Sequence, residues 1–223
     1  MRTAALAFVF SLAPFVSHAA CKDAPAASVD WKGCEKQRLM LGKSDLRGAN
    51  LAGADFDGTD LANANLAGAN LTNATLERTR LTGADLSGAK LMEVNGFRAN
   101  LTGAKLAGAN LTKAEMGRAV LKGADLTNAN LEKSEFPRAN LEEATLTGAN
   151  LTGSDLARTL LGKAKVSGTR FTNARLFRTR IEGLDLSGAQ GLAQAQLDAA
   201  CGDKGTKLPA GLKASAGWPC AKE

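Results

Sequence analysis

From Leu41 to Leu186 the chain returns to a large apolar side chain every five residues, with Gly96 the one exception and without a single insertion. Of the 30 positions in this phase, 23 are Leu, and the others are Phe56, Gly96, Met116, Phe136, Val166, Phe171 and Ile181. Two residues before each of these centres, 27 of 30 positions hold Ala, Ser or Thr; the exceptions are Leu39, Val94 and Leu184. Neither regular element has this period. On an α-helix each step of five advances the apolar stripe by about 140°, which smears it around the cylinder. A strand alternates with period two, and a five-residue unit reverses that alternation at every step. The 24 glycines oppose a helix further, at about 1 kcal/mol each. A solenoid that turns one large and one small side chain inward per unit satisfies the pattern.

Units such as Ala49-Asn50-Leu51-Ala52-Gly53 and Ala54-Asp55-Phe56-Asp57-Gly58 resemble the pentapeptide-repeat family, and the likeness runs over residues 39–188. The resemblance implies an all-β fold, a right-handed quadrilateral β-helix in which four units form one square coil of 20 residues. The centres and the small residues would fill the interior and the other three positions would face water. Coils stacked at about 4.8 Å make residues 41–186 a rod of roughly 35 Å. Contacts in such a rod reach only the neighbouring coil, so both ends need covers. Residues 21–40 are read as an N-terminal cap, 41–190 as the β-helix and 191–223 as a C-terminal cap. A short capping helix is expected between Gly191 and Ala200. The tail, with Cys201-Gly202-Asp203 and Trp218-Pro219-Cys220, resembles the C-terminal segment of exported bacterial members.

Residues 1–20 read as a secretory signal: Arg2, then an apolar run from Ala4 to Phe10, then Ser17-His18-Ala19-Ala20. Cleavage is expected after Ala19 or one residue later. Cys21 invites a lipoprotein reading, but His18 stands three positions before it, where such processing wants Leu or a similar apolar residue. Loss of the leader lowers the formal charge from +6 to +5 and removes His18, the sole histidine. The mature chain then has no imidazole, which excludes Ser-His and Cys-His nucleophile pairs. The expected location is the periplasm or the outside medium.

With the rod separating its ends by roughly 35 Å, and a disulfide spanning at most about 7 Å between Cα atoms, two pairings survive. These are Cys21–Cys34 and Cys201–Cys220. Two distant pairs without histidine do not supply the four ligands of a structural zinc site.

Steps of 20 sort the outward residues into columns. One corner reads Gly48, Gly68, Gly88, Gly108, Asn128, Gly148, Gly168 and Gly188, the residues a type II turn wants at its third position. The next face carries Asn50, Asn70, Asn110, Asn130 and Asn150, expected to hydrogen-bond from coil to coil. The corner after that holds Arg78, Arg98, Arg118, Arg138, Arg158 and Arg178. This column is expected to avoid positive φ, which costs an L-residue about 1–2 kcal/mol. Acids including Asp57, Glu115 and Glu135 are expected to pair with its middle; a polyanion track is the rival reading.

Towards the C-terminal end seven cations follow one another with no carboxylate between them: Arg158, Lys163, Lys165, Arg170, Arg175, Arg178 and Arg180. Arg158, Arg175, Arg178 and Arg180 are expected to form one dense anion-binding patch, and Lys163 and Lys165 to occupy the next corner. Phe97 and Phe177 are either exposed contacts or packed over neighbouring turns. Gly42-Lys43-Ser44 ends like a phosphate-binding loop, but Gln37 stands where the first glycine belongs.

Three functions compete. The first is a non-catalytic exported scaffold or binding module that presents charge to an anionic glycan, a lipid phosphate or another protein. The second is an enzyme, for which no cleft is legible. The third is implied by the resemblance, since some cytoplasmic family members mimic acidic DNA and inhibit gyrase; a basic chain with a leader opposes it. The first is preferred, with no catalytic residue, cofactor or metal ligand assigned.

Overall fold

The computed structural model describes residues 20–220. The expected leader lies outside them apart from Ala20. Parallel bridges join residues 20 apart in an unbroken series from Asp30 with Asn50 to Leu160 with Arg180, and again at Arg170 with Gln190. Four five-residue units therefore close one coil, and the coils stack as a four-sided β-helix.

Each unit satisfies its backbone mainly through the coils on either side. In the unit around Leu51, the Leu51 N–H donates to Asn70 O at 2.7 Å and the Gly53 N–H to Thr72 O at 2.8 Å, both one coil on. The Asn50 N–H donates back to Val29 O, and the Ala54 N–H closes the turn onto Leu51 O. One N–H per unit remains, that of the residue after the centre. The side chain before the centre accepts it: Asp60 Oδ1 from Ala62 at 2.9 Å, Asn110 Oδ1 from Thr112 at 3.0 Å, Asn140 Oδ1 from Glu142 at 2.8 Å. This is why Asn and Asp recur there. The coil-to-coil amide bonds expected of the Asn column are made at some of its positions. Asn150 Nδ2 reaches Asn130 Oδ1 at 3.1 Å and Asn50 Nδ2 reaches Asp30 Oδ1 at 3.0 Å.

The interior follows the sequence pattern. Leu46, Leu51, Leu66 and Leu86 are fully buried, as are Phe56 and Phe136, with Ala49, Ala84 and Ala104 in the small slots. Threonine hydroxyls in small slots reach the coil beneath, Thr79 Oγ1 donating to Phe56 O at 2.8 Å and Thr159 Oγ1 to Phe136 O at 2.6 Å, whereas Ser134 and Ser154 donate to Leu131 O and Leu151 O of their own coil. Gly96, the single centre without a side chain, is also accommodated. A Cβ there would meet Met116 Sδ at 2.4 Å, so the unbranched Met116, 1% exposed, fills the space from the next coil. The oversized Val94 sits in the same unit, and the glycine centre offsets its bulk.

The turn expectation for the arginine column is overturned. Arg78, Arg98, Arg118, Arg138, Arg158 and Arg178 all have φ between 52° and 60°. The stacked ladder fixes the turn type, not the residue: the Arg118 N–H must reach Pro137 O (2.9 Å), and only the left-handed conformation aims it there. Gly188 departs the other way and is not among the positive-φ residues that include Gly48, Gly68, Gly148 and Gly168.

The coil geometry also begins before Leu41. Ser28, Gly33 and Arg38 already hold the positive-φ turn position, and Trp31 and Lys36 occupy centres. Lys36 is 6% exposed; its ammonium lies 3.7 Å from the Trp31 ring centroid and donates to Cys21 O at 2.6 Å. Burial lowers its pKa, opposed by Asp23. The Cys21–Cys34 disulfide, with Cα atoms 5.5 Å apart, holds the first segment over this end.

At the other end α1 (Gln194–Ala199) lies across the last coil, with Leu197 fully buried. Gln196 accepts the Ala193 N–H and donates to Phe171 O (2.8 Å) and Ala174 O (2.7 Å), carbonyls that a further coil would otherwise cover. Beyond α1, Cys201 and Lys207 pair with Arg180 and Asp185. The Trp218 indole N–H donates to Ala200 O at 2.8 Å, and the Cys201–Cys220 disulfide, with Cα atoms 5.2 Å apart, closes the tail.

Candidate functional site

The residue before each centre lies on a flat side of the rod and points outward. In the last coils this position holds Lys165, Arg170, Arg175 and Arg180, one on each of the four sides, and the first three are exposed. Lys163 is exposed at a corner with φ 59°. Arg158 and Arg178 are half-buried, one coil apart at a single corner, with φ 58° and 54°.

The expected four-arginine patch is divided. Phe177 is 44% exposed, and the guanidinium carbons of Arg158 and Arg175 each lie 5.9 Å from its ring centroid. Arg180 instead turns to Glu182 at 2.6 Å, beside a shallow cavity of about 330 Å³ lined by Glu142, Leu160 and Gly162. Glu182 lies just past the carboxylate-free run, so the run alone did not reveal it. From the coil beneath, Asp155 approaches Arg175 at 3.1 Å.

The two outward phenylalanines differ. Phe97 is half-buried, and a Cβ on Gly117 of the next coil would lie 3.3 Å from its ring, so Phe97 packs over that turn. Phe177 remains a half-open apolar surface among cations.

In the middle of the arginine column the expected acid pairs are only partly made. Arg78 donates to both Asp57 oxygens at 2.8 Å, which raises the Arg78 pKa. Among the described residues, Arg118 and Arg138 form no ion pair within 4.0 Å with Glu115 or Glu135. The coil spacing carries these acids and arginines at a fixed offset, which lets the side chains extend into water instead of converging.

Among the described residues, no helix is long and apolar enough to cross a membrane.

Comparison with curated proteins finds no match. Among solved structures, a trypsin-treated variant of QnrB1, a plasmid-mediated fluoroquinolone resistance protein, aligns over 83% of this chain and 91% of its own, with a TM-score of 0.68 and 17% identity. A pentapeptide repeat protein from the Arabidopsis thaliana thylakoid lumen is 34% identical over 43% of this chain and 66% of its own, with a TM-score of 0.42. HetL, a pentapeptide repeat protein involved in heterocyst differentiation regulation from Nostoc sp. strain PCC 7120, is 28% identical over 84% of this chain and 95% of its own, with a TM-score of 0.34. The QnrB1 likeness supports the fold and carries no ligand with it. The family model for pentapeptide repeats matches eight copies, over residues 41–78, 59–95, 99–136, 124–162 and 154–189. The interval it skips, 96–98, begins at Gly96, the centre whose side chain Met116 replaces. With the bridge register, the turns and this match in agreement, the chain belongs to the pentapeptide-repeat family and folds as its right-handed quadrilateral β-helix.

Proposed function

We propose that the protein is a non-catalytic, exported pentapeptide-repeat scaffold whose last coils bind a polyanion bearing phosphate or sulfate groups. One observation carries the reading. Three consecutive sides present an exposed cation on backbone that is fixed coil to coil: the Lys165 N–H bonds Ala144 O at 2.9 Å, Arg170 bonds Ala149 O at 3.0 Å and Arg175 bonds Ser154 O at 2.8 Å. Long cationic side chains on a rigid frame lose less freedom on binding than the same residues on a loop. Arginine adds a planar fork that grips two phosphate oxygens. The half-open Phe177 ring, between Arg158 and Arg175, adds an apolar contact for a lipid or sugar face.

Export rests on the leader-like composition of residues 1–20 and on two disulfides, which persist in oxidising compartments. Outside the cytoplasm, the anions within reach are glycans and lipid phosphates. The formal charge of +6 runs against a DNA-mimic role, which needs an acidic surface.

Binding of heparin and of lipopolysaccharide vesicles to the wild type and to the double variant Lys165→Glu/Arg170→Glu tests the reading. Both residues are exposed, so the variant keeps its thermal stability while affinity falls at least tenfold. Asp155→Asn frees Arg175 and should strengthen binding. Failure of both probes to bind the wild type at low salt would sink the proposal.

A further inference from the structure

Between the last two coils the ladder is missing where α1 replaces the coil, at Asn173 and Leu176, and also on the side that carries Lys165 and Asp185, where the coil continues. Following the pattern of every earlier coil, Val166 N–H should donate to Asp185 O, Asp185 N–H to Ala164 O, and Lys163 N–H to Glu182 O. None of these bonds is made, and Lys165 and Asp185 form no bridge. One coil earlier the same three bonds are intact: Leu146 N to Lys165 O at 2.7 Å, Lys165 N to Ala144 O at 2.9 Å and Glu143 N to Gly162 O at 2.9 Å.

The cause is in the small slot. Leu184 stands where 27 of 30 units hold Ala, Ser or Thr, and it is 1% exposed over Ala164 in the coil beneath. Val94, equally out of place, has a glycine centre to offset it; Leu184 is followed by the ordinary centre Leu186. The upper coil is therefore wedged away, and the C-terminal tail holds it from above. Leu186 N donates to Lys207 O at 2.8 Å, and Lys207 N to Leu184 O at 2.9 Å. The register recovers one residue late, Gly168 N reaching Gly188 O at 2.8 Å, and Gly188 loses the positive φ of its column.

The wedge leaves a cavity of about 320 Å³ lined by Ala164, Lys165, Ser167, Asp185, Ser187 and Gly188. We propose that this seam is a docking site for an extended peptide strand. Its two lips offer what a β-strand requires, namely N–H donors at Val166 and Asp185 and carbonyl acceptors at Ala164 and Asp185. Small lining residues restrict the guest to small side chains facing inward. Asp185 is already engaged by Ser187 Oγ at 2.6 Å and Lys207 Nζ at 3.1 Å. Lys165, which makes no ion pair within 4.0 Å among the described residues, is the charge left at the mouth. The guest is thus an extended peptide with one acidic residue flanked by Gly, Ala or Ser. This site shares Lys165 with the polyanion reading and is told apart from it by the backbone bonds, which a polyanion does not use and which the N-methylated probe removes.

Amide hydrogen exchange and peptide titration test it, with the blocked peptide acetyl-Ser-Glu-Ser-Gly-amide as the probe. In the free protein the Val166 and Asp185 amides should exchange at least about a hundredfold faster than those of Leu146 and Lys165. The peptide should slow both and shift their NMR resonances, whereas its backbone N-methylated form should bind at least tenfold more weakly. Leu184→Ala should let the coils close, protect the same two amides without peptide and abolish peptide binding. Lys165→Glu, an exposed change that does not depend on refolding the seam, should reverse the preference to a peptide with Lys in place of Glu. Wild-type amides protected like those of Leu146 and Lys165, or equal binding of the N-methylated probe, would overturn the assignment. So would protection that rises with protein concentration alone, because a second copy would then fill the seam.

Discussion

Met116 offers a direct measure of how strictly the rod is packed. Its thioether fills the space over Gly96, where even a Cβ would come within 2.4 Å of Sδ. Truncation by Met116→Ala therefore opens a void on two levels, since Gly96 has no side chain to relax into it. Met-to-Ala changes in cores cost about 2–5 kcal/mol, and the lack of a collapsing neighbour places this one near the top, at about 4 kcal/mol. Gly96→Leu alone forces Met116 and Val94 aside and should cost about 1–3 kcal/mol by overpacking. The triple change Val94→Ala/Gly96→Leu/Met116→Leu restores the ordinary unit and should be at least as stable as the wild type. Urea unfolding followed by circular dichroism supplies the free energies, and a cycle over the three sites gives the coupling. A Met116→Ala cost below about 1 kcal/mol, or additive single effects, would refute the compensation.

Arg118→Gly and Arg138→Gly should be neutral or stabilising by up to about 1 kcal/mol, since they relieve a left-handed L-residue and break no ion pair; a loss of more than about 1 kcal/mol in thermal melts would show that a charge partner matters after all. Thr159→Val should cost about 0.5–1.5 kcal/mol, because Phe136 O keeps the Ala139 N–H after losing the hydroxyl. The Asp185 carboxyl is held at about 2, first by the Ser187 hydroxyl, then by the Ser187 N–H and Lys207. Its folded pKa lies below the unfolded value of about 3.9, so its contribution to tail docking is complete above that value and is lost as pH falls through about 2. A carboxyl titration by NMR should show this low midpoint, and Ser187→Ala should raise it; a midpoint near 4 in both would contradict the contact.

The repeat makes the coil legible because every unit carries the same residue types at the same interior and turn positions. The centres, the small slots and the Asx residues all follow from the five-residue text. The start of the coil is hidden in the sequence because Lys36 occupies a centre, where the repeat otherwise carries an apolar residue. The arginine turns are not legible from local preference, because hydrogen bonds on both adjacent coils dictate the turn. For the site, exposure of Lys163, Lys165, Arg170 and Arg175 follows from their column positions. The pairing of Arg180 with Glu182 depends on side-chain direction around a corner, which a column does not encode. Leu184 was visible as an exception to the small slot, but the open seam also needed the tail that holds its upper lip.

The polyanion reading stands or falls most directly on the salt dependence of binding. Heparin affinity of the wild type, measured over a series of salt concentrations, should fall log-linearly, with a slope set by roughly three to four released counterions for the contacts around Lys163, Lys165, Arg170 and Arg175. The Lys165→Glu/Arg170→Glu variant should lose about two from that slope. A salt-independent affinity, or a slope unchanged by the double reversal, would contradict a belt that recognises anions.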